Sequence, residues 1–159
     1  MNPKKIYNRL YDYFGPQGWW PIFDTTSNKC KYHTIGHLSE PELPSRRPTS
    51  DSQKFEICAG AILTQNTAWK NVEGALRNLK TFSHSQEYEN VSPKFILSCK
   101  NLKHLIQPAG YYNQKAKKLR IFSEFWMNND LSKIPLTALR LRLTALWGIG
   151  PETADSILL

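Results

Sequence analysis

No apolar run in the sequence is long enough to cross a bilayer: the longest, Ile57 to Leu63, falls far short of the roughly 20 residues a spanning helix needs. Cysteine is scarce. Cys30, Cys58 and Cys99 are odd in number and irregularly spaced, which argues against a disulfide framework and makes a reduced, cytoplasmic compartment the expectation. Lys4 and Lys5 soon meet Arg9 and Asp12, so no signal-peptide core follows them. No alternating strand pattern, internal repeat or low-complexity tract is found. Acidic residues are few, 13 against 21 Lys plus Arg, for a net charge of +8. That balance points to a polyanionic partner, because neutralising phosphates releases counterions, although basic surfaces also serve solubility alone. What is present, 40% apolar and 12% aromatic residues in 159, is globular composition on the scale of one domain with at most a small appendage.

Three stretches differ in character, with domain boundaries expected at 1–21, 22–54 and 55–159. Lys4 to Phe14 places Ile6, Leu10, Tyr13 and Phe14 near helical spacing and leads through Gly15-Pro16 to Trp19-Trp20-Pro21. From Ile22 to Lys54, Pro41, Pro44 and Pro48 alternate with Ser, Thr, Arg46 and Arg47, which predicts a flexible polar insert. From Phe55 to Leu63 the residues are apolar almost all round, the mark of a buried helix, with Asp51 or Ser52 as cap. Thr67 is expected to cap a helix with Val72, Ala75, Leu76 and Leu79 inward, and Ser92-Pro93 to open another. Asn101 caps a short turn ended by Pro108 and Gly110. Asn113 opens a helix with Ala116, Leu119, Ser123 and Trp126 on one face, and Thr137 one with Leu139, Leu143 and Leu146 inward. The chain reads as all-α.

Chemistry concentrates near the carboxyl end. A helix ending near Leu146, a Gly148-Ile149-Gly150 turn and a helix from Pro151 make a helical hairpin. Glycines let such a turn take φ > 0 and approach another surface closely. Amides at the turn and at the next helix start lack intrahelical acceptors, and the helix dipole adds positive potential, so a phosphate oxygen suits them. Ile149 would anchor the bend in the core. An ordinary helix–helix corner has the same outline.

Leu143 to Leu158, Leu-x-x-Leu-Trp-Gly-Ile-Gly-Pro-Glu-Thr-Ala-Asp-Ser-Ile-Leu, resembles the helix-hairpin-helix motif of the endonuclease III superfamily of DNA glycosylases. Ala61 to Thr67 and Pro108 to Ala116 resemble that family's two other DNA-facing segments. Trp19-Trp20-Pro21 with Gln65-Asn66-Thr67 resembles its 3-methyladenine glycosylase branch. The resemblance implies an all-α helix-hairpin-helix core and base-excision repair on double-stranded DNA containing damaged bases, with no membrane role and a monomeric state. It implies DNA contacts from Gly148, Ile149, Gly150, Glu152, Thr153, Gln65, Tyr111 and Lys115. Gln65 and Tyr111 would fill the space left by an everted nucleotide, whose unstacking costs a few kcal/mol; a polar cap between helices is the plainer reading of Gln65. Trp19 or Trp20 with Trp69 would stack a cationic alkylated base, an attraction of about 0.5–2 kcal/mol, or Trp69 simply packs the core. Lys115, Lys117, Lys118 and Arg120 are phosphate contacts or a solvated helix face, and Tyr112 is read as core.

Two departures bear on activity. Bifunctional members carry a Schiff-base lysine two residues past the second hairpin glycine; here that position is Glu152, and a carboxylate forms no imine, so no lyase step is expected. Glu152 is read as a charge complementing the helix dipole before it is read as an acid. The family's catalytic aspartate lies on the helix past the hairpin, a position beyond Leu159, so the chain reads as incomplete at its C-terminus and no catalytic residue is identified. Asp155 is read as structural. No cofactor is expected, the three cysteines do not imitate iron–sulfur spacing, and the resemblance leaves room for a monovalent cation at the hairpin. Cys30, His33 and His37 supply only three candidate metal ligands, where structural zinc takes four. The expectation is a monofunctional DNA glycosylase; the alternative is an inactive, truncated DNA-binding module.

Overall fold

In the computed structural model, residues 2–14, 22–24, 29–31, 50–86, 88 and 90–158 are described. Eight α-helices are found among them: α1 (Pro3–Phe14), α2 (Asp51–Leu63), α3 (Trp69–Ser85), α4 (Pro93–Ser98), α5 (Leu102–Leu105), α6 (Tyr112–Asn128), α7 (Leu136–Thr144) and α8 (Pro151–Leu158). Single 3-10 turns at Gln107–Ala109 and Leu131–Lys133 join α5 to α6 and α6 to α7. The all-α reading holds for the core. Within the insert a short pairing accompanies it: β1 (Ile22–Asp24) runs antiparallel to β2 (Lys29–Lys31), Phe23 opposite Cys30. Strands of three residues are too short to show an alternating pattern. Trp19, Trp20, His33 and His37, and most of the 22–54 insert, lie outside the described residues.

The core forms around α2, which is buried on every side over Cys58–Leu63. Phe55 stacks on Phe122 of α6 at 5.8 Å and meets the edge of Trp126 at 5.4 Å. Val72, Leu76 and Leu79 of α3, Phe95 and Ile96 of α4, and Leu102 and Ile106 close the same cluster. As the spacing predicts, α6 buries Ala116, Leu119 and Ser123, with Trp126 half-buried, and α7 turns Leu143 inward with Leu139 and Leu146 packed at the edge. Tyr112, read as core, is instead exposed at 37%, at the very first residue of α6.

Helix starts follow local chemistry with small shifts from expectation. The cap of α2 is Ser50, which accepts from the Gln53 amide at 3.2 Å, rather than Asp51 or Ser52. Ser92 caps α4 as expected, accepting from the Phe95 amide at 3.2 Å, with Pro93 first in the helix. At α3 the cap position is Ala68, with no side-chain cap bond, and Thr67 accepts from Asn71 Nδ2 instead. Cys58 and Cys99 are both buried free thiols. Loss of hydration raises both above the usual thiol range, Cys58 to about 12.

Candidate nucleic-acid interface

The bend between α7 and α8 is pinned from within and open from without. Ile149 is only 3% exposed, while Trp147, Gly148, Gly150 and Glu152 stand at the surface. The Ile149 amide donates to Leu146 O at 3.1 Å, tightening the corner, and Gly148 takes φ +81° to make it. The first helical bond of α8 runs from the Ala154 amide to Gly150 O. The amides of Glu152 and Thr153, just before it, therefore have no acceptor within the helix. Arg140 grips Asp155 with two bonds, 2.6 and 2.9 Å. This pair ties α7 to α8 and holds the Asp155 carboxyl below its usual range, in keeping with a structural role.

Gln65, in the turn between α2 and α3, reaches across to this bend. Its Nε2 donates to Gly148 O at 3.0 Å and to Thr153 Oγ1 at 2.8 Å, and its Oε1 accepts from Lys118 Nζ. The orientation of the amide is chemically fixed, because a carbonyl only accepts and an ammonium only donates. Gln65, Lys118 and Thr153 line an open cleft of about 520 Å³ between the end of α2 and the start of α8, together with Gly150, Glu152 and Ser156. Beside it, Asn66 takes φ +53°, a conformation asparagine tolerates better than most residues. Carbonyls are the donors the hairpin offers a monovalent cation. Those of Leu146 and Gly148 each accept one hydrogen bond, from the Ile149 amide and Gln65 Nε2, and keep a second lone pair free.

The loop ahead of α6 carries the second candidate contact. Gly110 (φ +67°) and Tyr111 (φ +44°) are both left-handed, and Tyr111 is 68% exposed. For a tyrosine this backbone costs about 1–2 kcal/mol, so the loop is held by its surroundings. Lys115, expected as a phosphate contact, is corrected: it is 2% exposed, and its Nζ donates to Leu63 O (2.8 Å) and Ala109 O (2.6 Å). Its place on the stripe of Leu119 and Phe122, at four and seven residues, is the sequence signal for burial. Arg120 also turns inward, its guanidinium donating to Cys99 O at 2.9 Å. Lys117 lies over the Trp147 ring, 4.2 Å from its centroid. Trp147, 48% exposed beside Gly148, is a candidate contact residue that its place inside the hairpin motif does not by itself reveal. Trp69 packs on α2, its ring 3.6 Å from where a side chain on Gly60 would begin, and its indole N–H donates to Glu73. With Trp19 and Trp20 outside the described residues, no aromatic base pocket is assembled among those described.

Desolvation first, and then the Lys118 charge, lower the Lys115 ammonium to about 8 from its ordinary 10.5. Below pH 8 folded and unfolded chains are both protonated there, and the folded chain bears the full cost of burying the charge. Between pH 8 and 10.5 the unfolded chain keeps the proton that the folded chain has shed, so this group makes stability rise with pH. The melting temperature of the native chain minus that of a Lys115→Met variant is expected to increase from pH 7.5 to about 10. A flat or falling difference refutes the assignment.

A family model for HhH-GPD superfamily base excision DNA repair proteins matches residues 59–148, from within α2 through the first hairpin glycine. The chain belongs to that superfamily. Among curated proteins, one of Methanocaldococcus jannaschii named "Putative DNA repair glycosylase MJ1434" is 37% identical over 162 aligned residues, which cover 98% of this chain and 59% of the relative. A crystal structure of the H. pylori 3-methyladenine DNA glycosylase MagIII, bound to 1,N6-ethenoadenine, superposes with a TM-score of 0.55 at 33% identity. That match covers 65% of this chain and 50% of MagIII. The chain thus spans about three fifths of the one relative and half of the other. The matched region contains both the Ala61–Thr67 and Pro108–Ala116 segments that carried the resemblance. None of the described helices is long and apolar enough to cross a membrane.

Proposed function

We propose that the chain serves base-excision repair as a monofunctional DNA glycosylase scaffold, gripping duplex DNA at the Gly148–Gly150 bend so that a damaged, alkylated base can be released. The observation that carries this reading is the bend itself: open amides at a surface corner, anchored by Ile149 and tied through Gln65 to the α2–α3 turn. Tyr111, Lys117 and Trp147 add exposed aromatic and cationic groups of the kind that meet bases and phosphates. Glu152 at the helix start supports hydrolysis without strand cleavage, since it offers no amine for a Schiff base.

Expressed from its full reading frame, the protein is expected to release free base from methylated duplex DNA and leave an intact abasic strand. A protein–DNA adduct trapped by borohydride rejects the monofunctional reading. A second reading, binding without turnover, is favoured by the engagement of Asp155 with Arg140, which removes one of the two carboxylates next to the bend from chemistry. That reading expects salt-sensitive duplex binding and no base release. The affinity should fall as salt rises from about 50 to 200 mM, as phosphate contacts require. Binding unchanged across that range overturns both readings.

A further inference from the structure

We infer that Lys115 is a positioning residue whose side chain joins the Gln65 turn to the Tyr111 loop and sets, before DNA arrives, the spacing at which those two candidate contacts meet a duplex. The inference rests on the DNA-binding reading of the interface. Lys115 takes hold of the last residue of α2 at Leu63 O and of the last residue of the 3-10 turn at Ala109 O. Both are ends of helical segments, where carbonyls lose their intrahelical partners. In a continued helix the Thr67 amide would bond to Leu63 O, but it bonds to Thr64 O instead, and Lys115 supplies the replacement. Its own main-chain amide donates to Tyr111 O at 3.0 Å, so one residue holds the Tyr111 loop by backbone and side chain together.

A methionine would fill the same space without the cost of burying a charge. The ammonium gives what an apolar group cannot: directional bonds to two main-chain segments at once. Lys118, one turn further along α6, bonds to Gln65 Oε1. The same helix therefore holds the α2–α3 turn at two points, through its backbone at Leu63 and its side chain at Gln65. Gln65 in turn carries the bend through Gly148 and Thr153.

The test is a double-mutant cycle on duplex affinity. Gln65→Ala, Tyr111→Ala and the pair are measured in the native chain and again on Lys115→Met and Lys115→Gln backgrounds, each checked for a cooperative melt. In the native chain the two losses are expected to be non-multiplicative by about fivefold, as for coupled contacts. On Lys115→Met they should multiply within about twofold, and Lys115→Gln, which keeps N–H donors, should retain part of the coupling. Coupling unchanged by Lys115→Met reduces the residue to a stability role and overturns the inference. Hydrogen exchange of the native chain gives an arm independent of any variant. Amides in 64–67 and 109–112 should open together, and opening that differs by more than about tenfold overturns the brace. A native chain that binds no duplex refutes the DNA reading itself, whereas binding with unaltered coupling refutes only the role of Lys115.

Discussion

Truncating Glu56 to alanine is expected to cost about 3–5 kcal/mol, a large part of the 5–15 kcal/mol typical of a domain. Glu56 on α2 and Lys80 on α3 are 2% and 6% exposed and meet at 2.8 Å. Their attraction is strong only because water is excluded, and the same exclusion makes each charge costly without the other. Removing the carboxylate takes the 2.8 Å Glu56 contact away from the buried Lys80 ammonium, and Lys80→Ala does the converse. Replacing the pair together, as Glu56→Met with Lys80→Leu, removes both desolvation costs and should return stability to within about 1–2 kcal/mol of native. Urea titration of the four proteins checks this. A single variant that loses less than about 1 kcal/mol contradicts the buried-pair account.

The second large effect is expected at the bend. Gly148→Val should lower stability by about 1–3 kcal/mol and weaken duplex binding at least tenfold, or about 1.4 kcal/mol. Two causes act together. The φ of +81° suits glycine and strains a β-branched residue, and a Cβ at this place would lie 2.5 Å from Lys118 Cε and 2.9 Å from its Cγ. Lys118 must then leave, and with it the bond that holds Gln65. Gly150 is the matched control, since a Cβ there meets nothing within 4 Å and its φ is not left-handed. Gly150→Ala should keep stability within about 1 kcal/mol of native, so any loss of affinity there reports the closeness of DNA rather than damage to the fold. If Gly148→Val binds and melts like the native chain, the bend does not have the geometry described.

The helical scaffold was legible because its signals are local. The all-round apolar run of α2, the Ser92-Pro93 start of α4 and the inward stripe of α6 each follow from a few neighbouring residues. So did the bend, whose Gly-Ile-Gly pattern states both the left-handed corner and its anchor. What escaped reading depends on partners far apart in sequence. Glu56 was passed over within an apolar helix because its cation comes from α3. Lys115 read as a surface charge because lysines usually are, and the carbonyls that draw it inward belong to two other segments. Trp147 drew no separate weight because its companion Lys117 sits on another helix. The short β-pairing was missed since it needs both strands at once.

The two buried sulfhydryls carry a consequence for chemical durability. Alkylating electrophiles seek thiolate, and a sulfur that keeps its proton at every physiological pH is a poor target. Cys58 and Cys99 are enclosed and held protonated. Neither of these two thiols should be consumed by a methylating electrophile while the fold is intact.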